Sequence, residues 1–261
     1  MKIPKDHPRA ESLRVRELII DGMHSNIVAE AGLIAHGRGE AFDYLIGEKT
    51  PSFALEQEKA AVASLLLANN PVISVNGNVA ALCPREIIEL AEETNSKLEV
   101  NLFYRSEKRM KALEKVLKEN GAEEIYGLNP NYQTEIKELS HLRRIVDKRG
   151  IFSADVVMVP LEDGDRTMAL RKLSKTVISI DLNPLSRTSL WSNITIVNNV
   201  IRAIPEMIKM AQEMKKEDSL KLQEIISNFE NFDSLHTSLT FMSERLKSFD
   251  AEKLKKFKDS K

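Results

Sequence analysis

Between Pro71 and Val200 the chain alternates between two rhythms of apolar and polar positions. Short runs rich in β-branched or apolar residues occur at Val72–Val75, Leu98–Phe103, Glu124–Tyr126, Asp155–Val159, Val177–Ile180 and Ile194–Val197. Such runs predict strands, and the amphipathic stretches between them, roughly 84–95, 106–120, 134–149, 163–173 and 186–190, predict helices. Strands and helices in strict alternation predict right-handed βαβ units, hence an α/β fold with a doubly wound parallel sheet of about six strands. The near-continuous apolar character of Val156–Val159 and Val177–Ile180 fits central strands covered on both faces.

Helical patterns flank this region. Pro8 suits a first helical position, Leu13, Leu18, Ile19 and Ile20 follow at helical spacing, and Gly22 ends a predicted helix over 8–22. Pro51-Ser52 opens another that runs to about Asn69. Beyond Val200 the spacing predicts helices over 200–217, 219–229 and 234–248, with apolar stripes suited to core or subunit packing. The expected organisation is an N-terminal segment (1–70), a nucleotide-binding core (71–200) and a C-terminal helical extension (201–261).

The N-terminal segment holds the chain's densest group of glycines: Gly32, Gly37, Gly39 and Gly47, with His36 and Arg38 among them. Two readings stand. One is a loop whose freed amides and Arg38 fork line an anion, the other an ordinary surface loop with a solvated arginine. A dinucleotide fingerprint is excluded, because Phe42 stands where the third glycine is required.

Composition narrows the partners. A formal net charge of −1 argues against a nucleic-acid binder, so any basic site is local. The single cysteine, Cys83, permits no intrachain disulfide and no cysteine metal cluster, and is expected to be a small packed residue. Residues 1–30 carry charges throughout, unlike a secretory signal, and the longest apolar run, Ala60–Ala68, is about half of a membrane span. No membrane partner and a cytoplasmic location are therefore expected.

Ligands of open α/β sheets bind outside the carboxyl ends of the strands. At those ends stand Asn76-Gly77-Asn78, Tyr104-Arg105-Ser106, Glu162-Asp163-Gly164-Asp165, Asp181-Leu182-Asn183-Pro184 and Asn198-Asn199. Asn76 and Asn78 border a possible phosphate position at a helix start, or form a tight turn. Asp181 can accept from a ribose hydroxyl, hold Mg²⁺ or cap a turn.

Three stretches carry a family resemblance: Ile3–Leu13 (IPKDHPRAESL), Gly32–Glu48 (GLIAHGRGEAFDYLIGE) and Asp181–Thr188 (DLNPLSRT). They resemble the archaeal 4-phosphopantoate–β-alanine ligases, the phosphopantothenate synthetases, over nearly the whole chain. The resemblance implies a homodimer with a Rossmann-like domain that binds ATP and Mg²⁺ and joins 4-phosphopantoate to β-alanine through an acyl-adenylate, releasing AMP and pyrophosphate. Carried over by motif, the ATP contacts are Arg16, Arg38, Asp181, Leu182, Asn183, Arg187, Thr188, Asn199 and Val200. Arg38 and His36 are the catalytic candidates. Lys5, Arg9, Asn76 and Asn78 are candidates for the substrate phosphate, with His36 a further one from charge, and no metal ligands are assigned. Two rivals are a nicotinamide-dependent dehydrogenase, which lacks its glycine fingerprint here, and a non-catalytic nucleotide-sensing module.

Overall fold

The computed structural model describes residues 10–259, with side chains through Lys256. Three helices come first: α1 (Ala10–His24), α2 (Glu30–Ile46) and α3 (Ser52–Leu67). They are followed by β1 (Pro71–Val75), α4 (Gly77–Leu82), α5 (Pro84–Glu93), β2 (Lys97–Val100) and α6 (Glu107–Glu119). A short ribbon, β3 (Gln133–Glu135) and β4 (Ile145–Asp147), precedes β5 (Val156–Pro160), α7 (Gly164–Lys172), β6 (Thr176–Ile180), α8 (Arg187–Trp191) and β7 (Ile194–Ile196). Four helices close the chain: α9 (Val200–Met214), α10 (Ser219–Ser227), α11 (Asn231–Lys247) and α12 (Ala251–Asp259).

The main sheet has five strands in the order β2-β1-β5-β6-β7, and every pairing in it is parallel. Successive side chains on a strand point to opposite faces, and the core divides accordingly. Ile73, Val75, Met158, Ile178 and Ile180 pack into one cluster with α3, α5 and α9. Val72, Val157, Val159 and Val177 pack into another with Ile136, Val146 and Ile151 around the ribbon and with Ala169 and Leu170 of α7. With both faces covered, even the polar residues Ser74, Glu99, Ser179 and Thr195 of the strands are buried. Among the described residues no helix is long and apolar enough to cross a membrane.

The α/β class holds, but three local expectations do not. Glu124–Tyr126 contributes only an isolated bridge between Tyr126 and Glu99, so the sheet has five strands. Residues 134–149, read as a helix, form the antiparallel ribbon, because long-range bonds outbid the local pattern. The buried Glu99 carboxylate accepts the amides of Asp147 (3.0 Å) and Ile151 (2.6 Å), and Asn101 donates to the carbonyls of Arg143 and Ile145. Finally, Gly32–Ile46 is no loop. It is the body of α2, ended by Gly47 at φ 96°. Amides committed to a helix cannot cradle an anion, so the loop reading of that stretch falls.

Candidate active site

In a sheet of this order the connections run to opposite sides of β1 and β5, which leaves a crevice beyond their carboxyl ends. A cleft of about 740 Å³ occupies that place. Asn76-Gly77-Asn78 follow β1, Leu161 to Gly164 follow β5, Asp181 to Asn183 follow β6, and Asn199-Val200 follow β7. One wall is α2, which contributes His36, Arg38 and Glu40.

The turn after β6 is interlocked. The Asp181 carboxylate accepts the Asn183 amide (2.9 Å) and the Ser186 hydroxyl, and Ser186 in turn caps α8 through the Ser189 amide (3.0 Å). Burial raises the Asp181 pKa, while Ser186, Asn183 and the charge of Arg38 oppose the rise. Turn capping accounts for its present bonds, and each carboxylate oxygen keeps a second lone pair for a ligand hydroxyl. Thr188 donates to the Glu162 carbonyl (3.0 Å), and Arg187 pairs with Asp165 across the surface. Leu182 is buried beneath the turn.

Asn199 is held from behind. Its oxygen caps α9 by accepting from Ile201, and its amide group donates to Asp43 of α2 (2.7 Å). Asp43 also receives Arg202, whose Nε reaches Asn198, and Asn198 donates to Glu58 of α3 (2.9 Å). Glu58 carries no solvent exposure, and burial pushes its pKa up to about 9, with the charge of Glu206 adding to the rise. This network ties α2, α3 and α9 to the tip of β7.

Asn76 clamps the crevice itself. Its Oδ1 accepts from the Asn78 and Val79 amides, and its Nδ2 donates to the Pro160 carbonyl (2.8 Å) and the Leu161 carbonyl (3.1 Å). That side chain and the Asn78 and Val79 amides are thus committed to the fold. Asn78 lines the cleft but donates to the Gly32 carbonyl of α2 (2.9 Å). Leu161 stands at φ 53°, a left-handed conformation that a branched side chain tolerates only where surrounding contacts impose it.

The charged candidates divide. Arg38 is exposed, lines the cleft, and has no hydrogen bond or ion pair among the described residues. His36 is half-buried, and burial lowers its pKa below the usual imidazole value, against the pull of Glu40. That direction favours the neutral imidazole, whereas Arg38 keeps its charge. Arg16 does not line the cleft. It stands behind Glu40 at 3.6 Å, and Glu40 also accepts from Ser12 and Tyr44. Lys5 and Arg9 lie outside the described residues.

The sequence reading missed Arg109 of α6 and Arg143 of the turn before β4, both of which line the cleft. Arg143 sat in the segment read as a helix, so no pattern could bring it to the strand tips. Among the described residues no group of three or more His, Cys, Asp or Glu could hold a metal ion.

Residues 53–245 match the family model described as phosphopantothenate/pantothenate synthetase. A Thermococcus onnurineus protein named 4-phosphopantoate–β-alanine ligase is 55% identical over 247 residues, covering 94% of each chain. A Methanosarcina mazei protein of the same name is 52% identical over 250 residues, 96% of this chain and 98% of the other. One from Methanospirillum hungatei is 47% identical over 216 residues, covering 83% and 87%. The chain belongs to the phosphopantothenate/pantothenate synthetase family.

Proposed function

We propose that the protein is an ATP-dependent carbon–nitrogen ligase that condenses 4-phosphopantoate with β-alanine to 4′-phosphopantothenate in coenzyme A biosynthesis. Its near-full-length identity to relatives bearing that name supports the overall reaction. The observation that carries the mechanism is Arg38, a permanently charged fork that projects from α2 into a strand-tip cleft with no partner among the described residues.

The turn after β6 and Asn199 would hold the ribose and adenine of ATP. Arg38 would then face the phosphates, where fixed positive charge meets the charge that develops on attack. A carboxylate oxygen of the acid attacks the α-phosphorus, and the bond to the β-phosphate breaks to release pyrophosphate. The β-alanine nitrogen next attacks the acyl carbon, the bond to AMP breaks, and the nitrogen loses a proton. His36, whose neutral form burial favours, is a group on the same wall able to take that proton. Mg²⁺ would supply charge neutralisation on the phosphates. No phosphate-binding loop ending in Lys-Ser/Thr grips a terminal phosphate, in keeping with AMP rather than ADP as product. We further propose a cytoplasmic homodimer.

Exchange of labelled pyrophosphate into ATP, with 4-phosphopantoate and Mg²⁺ but without β-alanine, tests the adenylate. With β-alanine added, AMP should appear in step with amide. Stoichiometric ADP without exchange would overturn adenylation in favour of an acyl phosphate.

A further inference from the structure

Arg109 and Arg143 line the cleft at its β2 side, across the crevice from the tips of β6 and β7. The Arg109 guanidinium is gripped by two backbone carbonyls, Tyr104 (2.6 Å) and Ile27 (2.7 Å). Carbonyls orient a guanidinium without neutralising it. No carboxylate stands within ion-pair distance of Arg109 among the described residues, and its Nε is buried without a hydrogen-bond partner. Burial lowers its pKa, and no acidic neighbour offsets that loss. Gly77, the first residue of α4, lies against it: a Cβ there would stand 2.2 Å from the Ile27 carbonyl oxygen and 2.9 Å from Arg109 Nη2. Only glycine lets the turn after β1 approach this guanidinium so closely.

Arg143 differs in its charge balance. It is 8% exposed and pairs with the carboxylates of Glu162 and Asp163, while the fully buried Arg166 pairs with Glu162 and donates its backbone amide to Asp163. Glu162 and Asp163 are thus engaged by Arg143 and Arg166, with the buried Glu99 also acting on Arg166, and Arg109 has no acid of its own among the described residues. Arg143 registers the crowding: burial first, then Arg166, with Arg109 contributing, lower its pKa to about 9. A half-buried cation without a counter-charge is costly unless an anion completes it. The same cleft is lined by Leu102, Phe103 and Leu161, apolar groups suited to a branched carbon skeleton.

We propose that Arg109, backed by Arg143, binds the phosphate monoester of the acid substrate, so that its dimethyl carbon packs against Leu102, Phe103 and Leu161 while its carboxylate points across the crevice toward Arg38. This rests on the ligase reading above and assigns the substrate phosphate to a different place from the start of α4, where Asn76 already takes the Asn78 and Val79 amides. The nucleotide and the phosphorylated acid then enter from opposite sides of the crevice, and their reacting groups meet over β1 and β5.

Calorimetric titration of the full-length protein tests the site without turnover. Wild type should bind 4-phosphopantoate much more tightly than unphosphorylated pantoate. Arg109→Gln should weaken 4-phosphopantoate by about ten- to a hundred-fold, the loss of a charge-assisted pair. The preference over pantoate should shrink in proportion, while ATP affinity stays within about twofold. Unchanged 4-phosphopantoate affinity, or equal losses for ATP and the acid, would overturn the assignment. Arg109→Lys keeps the charge and loses the fork. It serves if the Gln variant fails to fold, with an intermediate loss expected and undiminished affinity counting against the site. Binding that depends on Arg109 in a protein that forms no amide would sink the ligase reading and leave the site. Amide formation with binding indifferent to Arg109 would do the reverse.

Discussion

Arg38 is the residue on which chemistry and stability separate most cleanly. It is exposed and makes no bond among the described residues that its loss would break, so Arg38→Ala should leave the Tm unchanged. A lost charge-assisted contact to phosphate costs roughly 1.5–3 kcal/mol, so kcat/KM should fall about ten- to a hundred-fold. Steady-state kinetics beside a thermal melt would check both, and full activity would return Arg38 to the solvent. Asp181 is different, because its carboxylate already closes the turn after β6. If it also receives a ribose hydroxyl, wild type should use ATP at least severalfold better than 2′-deoxy-ATP, by about the worth of one hydrogen bond to a charged group. Equal use of both nucleotides would leave Asp181 as a turn cap alone. Most of the site candidates were brought together: His36, Arg38, Asn76, Asn78, Asp181 to Asn183, Arg187, Thr188, Asn199 and Val200 all line one crevice. Arg109 and Arg143 were not legible, since each reaches the crevice through contacts distant in sequence. Nothing in a helical run such as Glu107–Glu119 announces that one arginine will be clasped by the carbonyl of Ile27.

At the scale of elements, α2 shows why composition misled. Three glycines within a helix cost about 1 kcal/mol each relative to alanine, so a glycine-dense stretch ordinarily reads as a loop. Packing explains Gly32: a Cβ there would stand 2.4 Å from Asn78 Oδ1 and 2.8 Å from Val28, so the helix rests directly on the start of α4. Gly37 has nothing within 4 Å of such a Cβ. Gly37→Ala should therefore raise stability by about 0.5–1 kcal/mol, and Gly32→Ala should lower it and loosen the cleft wall. Chemical denaturation of both variants would decide, and equal effects would show that helix propensity rather than packing governs α2. The ribbon that replaced the expected helix over 134–149 teaches the same lesson. Its apolar residues Ile136, Leu139 and Val146 fall at near-helical spacing, yet they pack beneath β5 because Glu99 and Asn101 bind the backbone there. Runs such as Val156–Val159 were read correctly because burial on both faces leaves no competing pattern.

The network behind β7 adds a pH dependence at this scale. Glu58 has its folded pKa raised to about 9 by burial and by Glu206, well above the carboxyl value of an unfolded chain. Between those two values the native state keeps a proton that the unfolded state has lost, so stability falls as pH rises through that window. Glutamine mimics the protonated acid and can still face Asn198 and Glu206. Glu58→Gln should therefore gain more Tm at pH 8 than at pH 5, by about 2–4 °C for each kcal/mol relieved. Parallel melts at the two pH values would test this, and an equal gain at both would remove Glu58 as the source.

For the whole molecule, the apolar stripes after Val200 raise the question of what they cover. Within the chain they are largely used: Ala203, Met207 and Ala211 of α9 pack in the main core, and Leu235 and Met242 of α11 are buried. Leu220 of α10, Leu246 of α11 and Leu254 of α12 remain exposed singly, and one further group lies outside. Phe232 at the start of α11 is 59% exposed, and Leu190 and Trp191 on the adjoining α8 are 41% and 42% exposed. The two elements are tied by Asn231, which donates to the Ser189 carbonyl (3.0 Å), so these side chains belong to neighbouring surfaces. Single exposed apolar residues need no explanation, but a group of large ones on adjoining elements marks an interface. If the proposed homodimer uses this face, light scattering at micromolar concentration should give twice 29.5 kDa. Phe232→Asp should then dissociate the dimer with little loss of fold, since the side chain is mostly outside the core. Trp191 is the chain's single tryptophan, so its emission should move to the red as the partner leaves. A wild-type monomer would sink the dimer outright. A dimer indifferent to Phe232→Asp would place the contact on another face and return Leu190, Trp191 and Phe232 to the solvent.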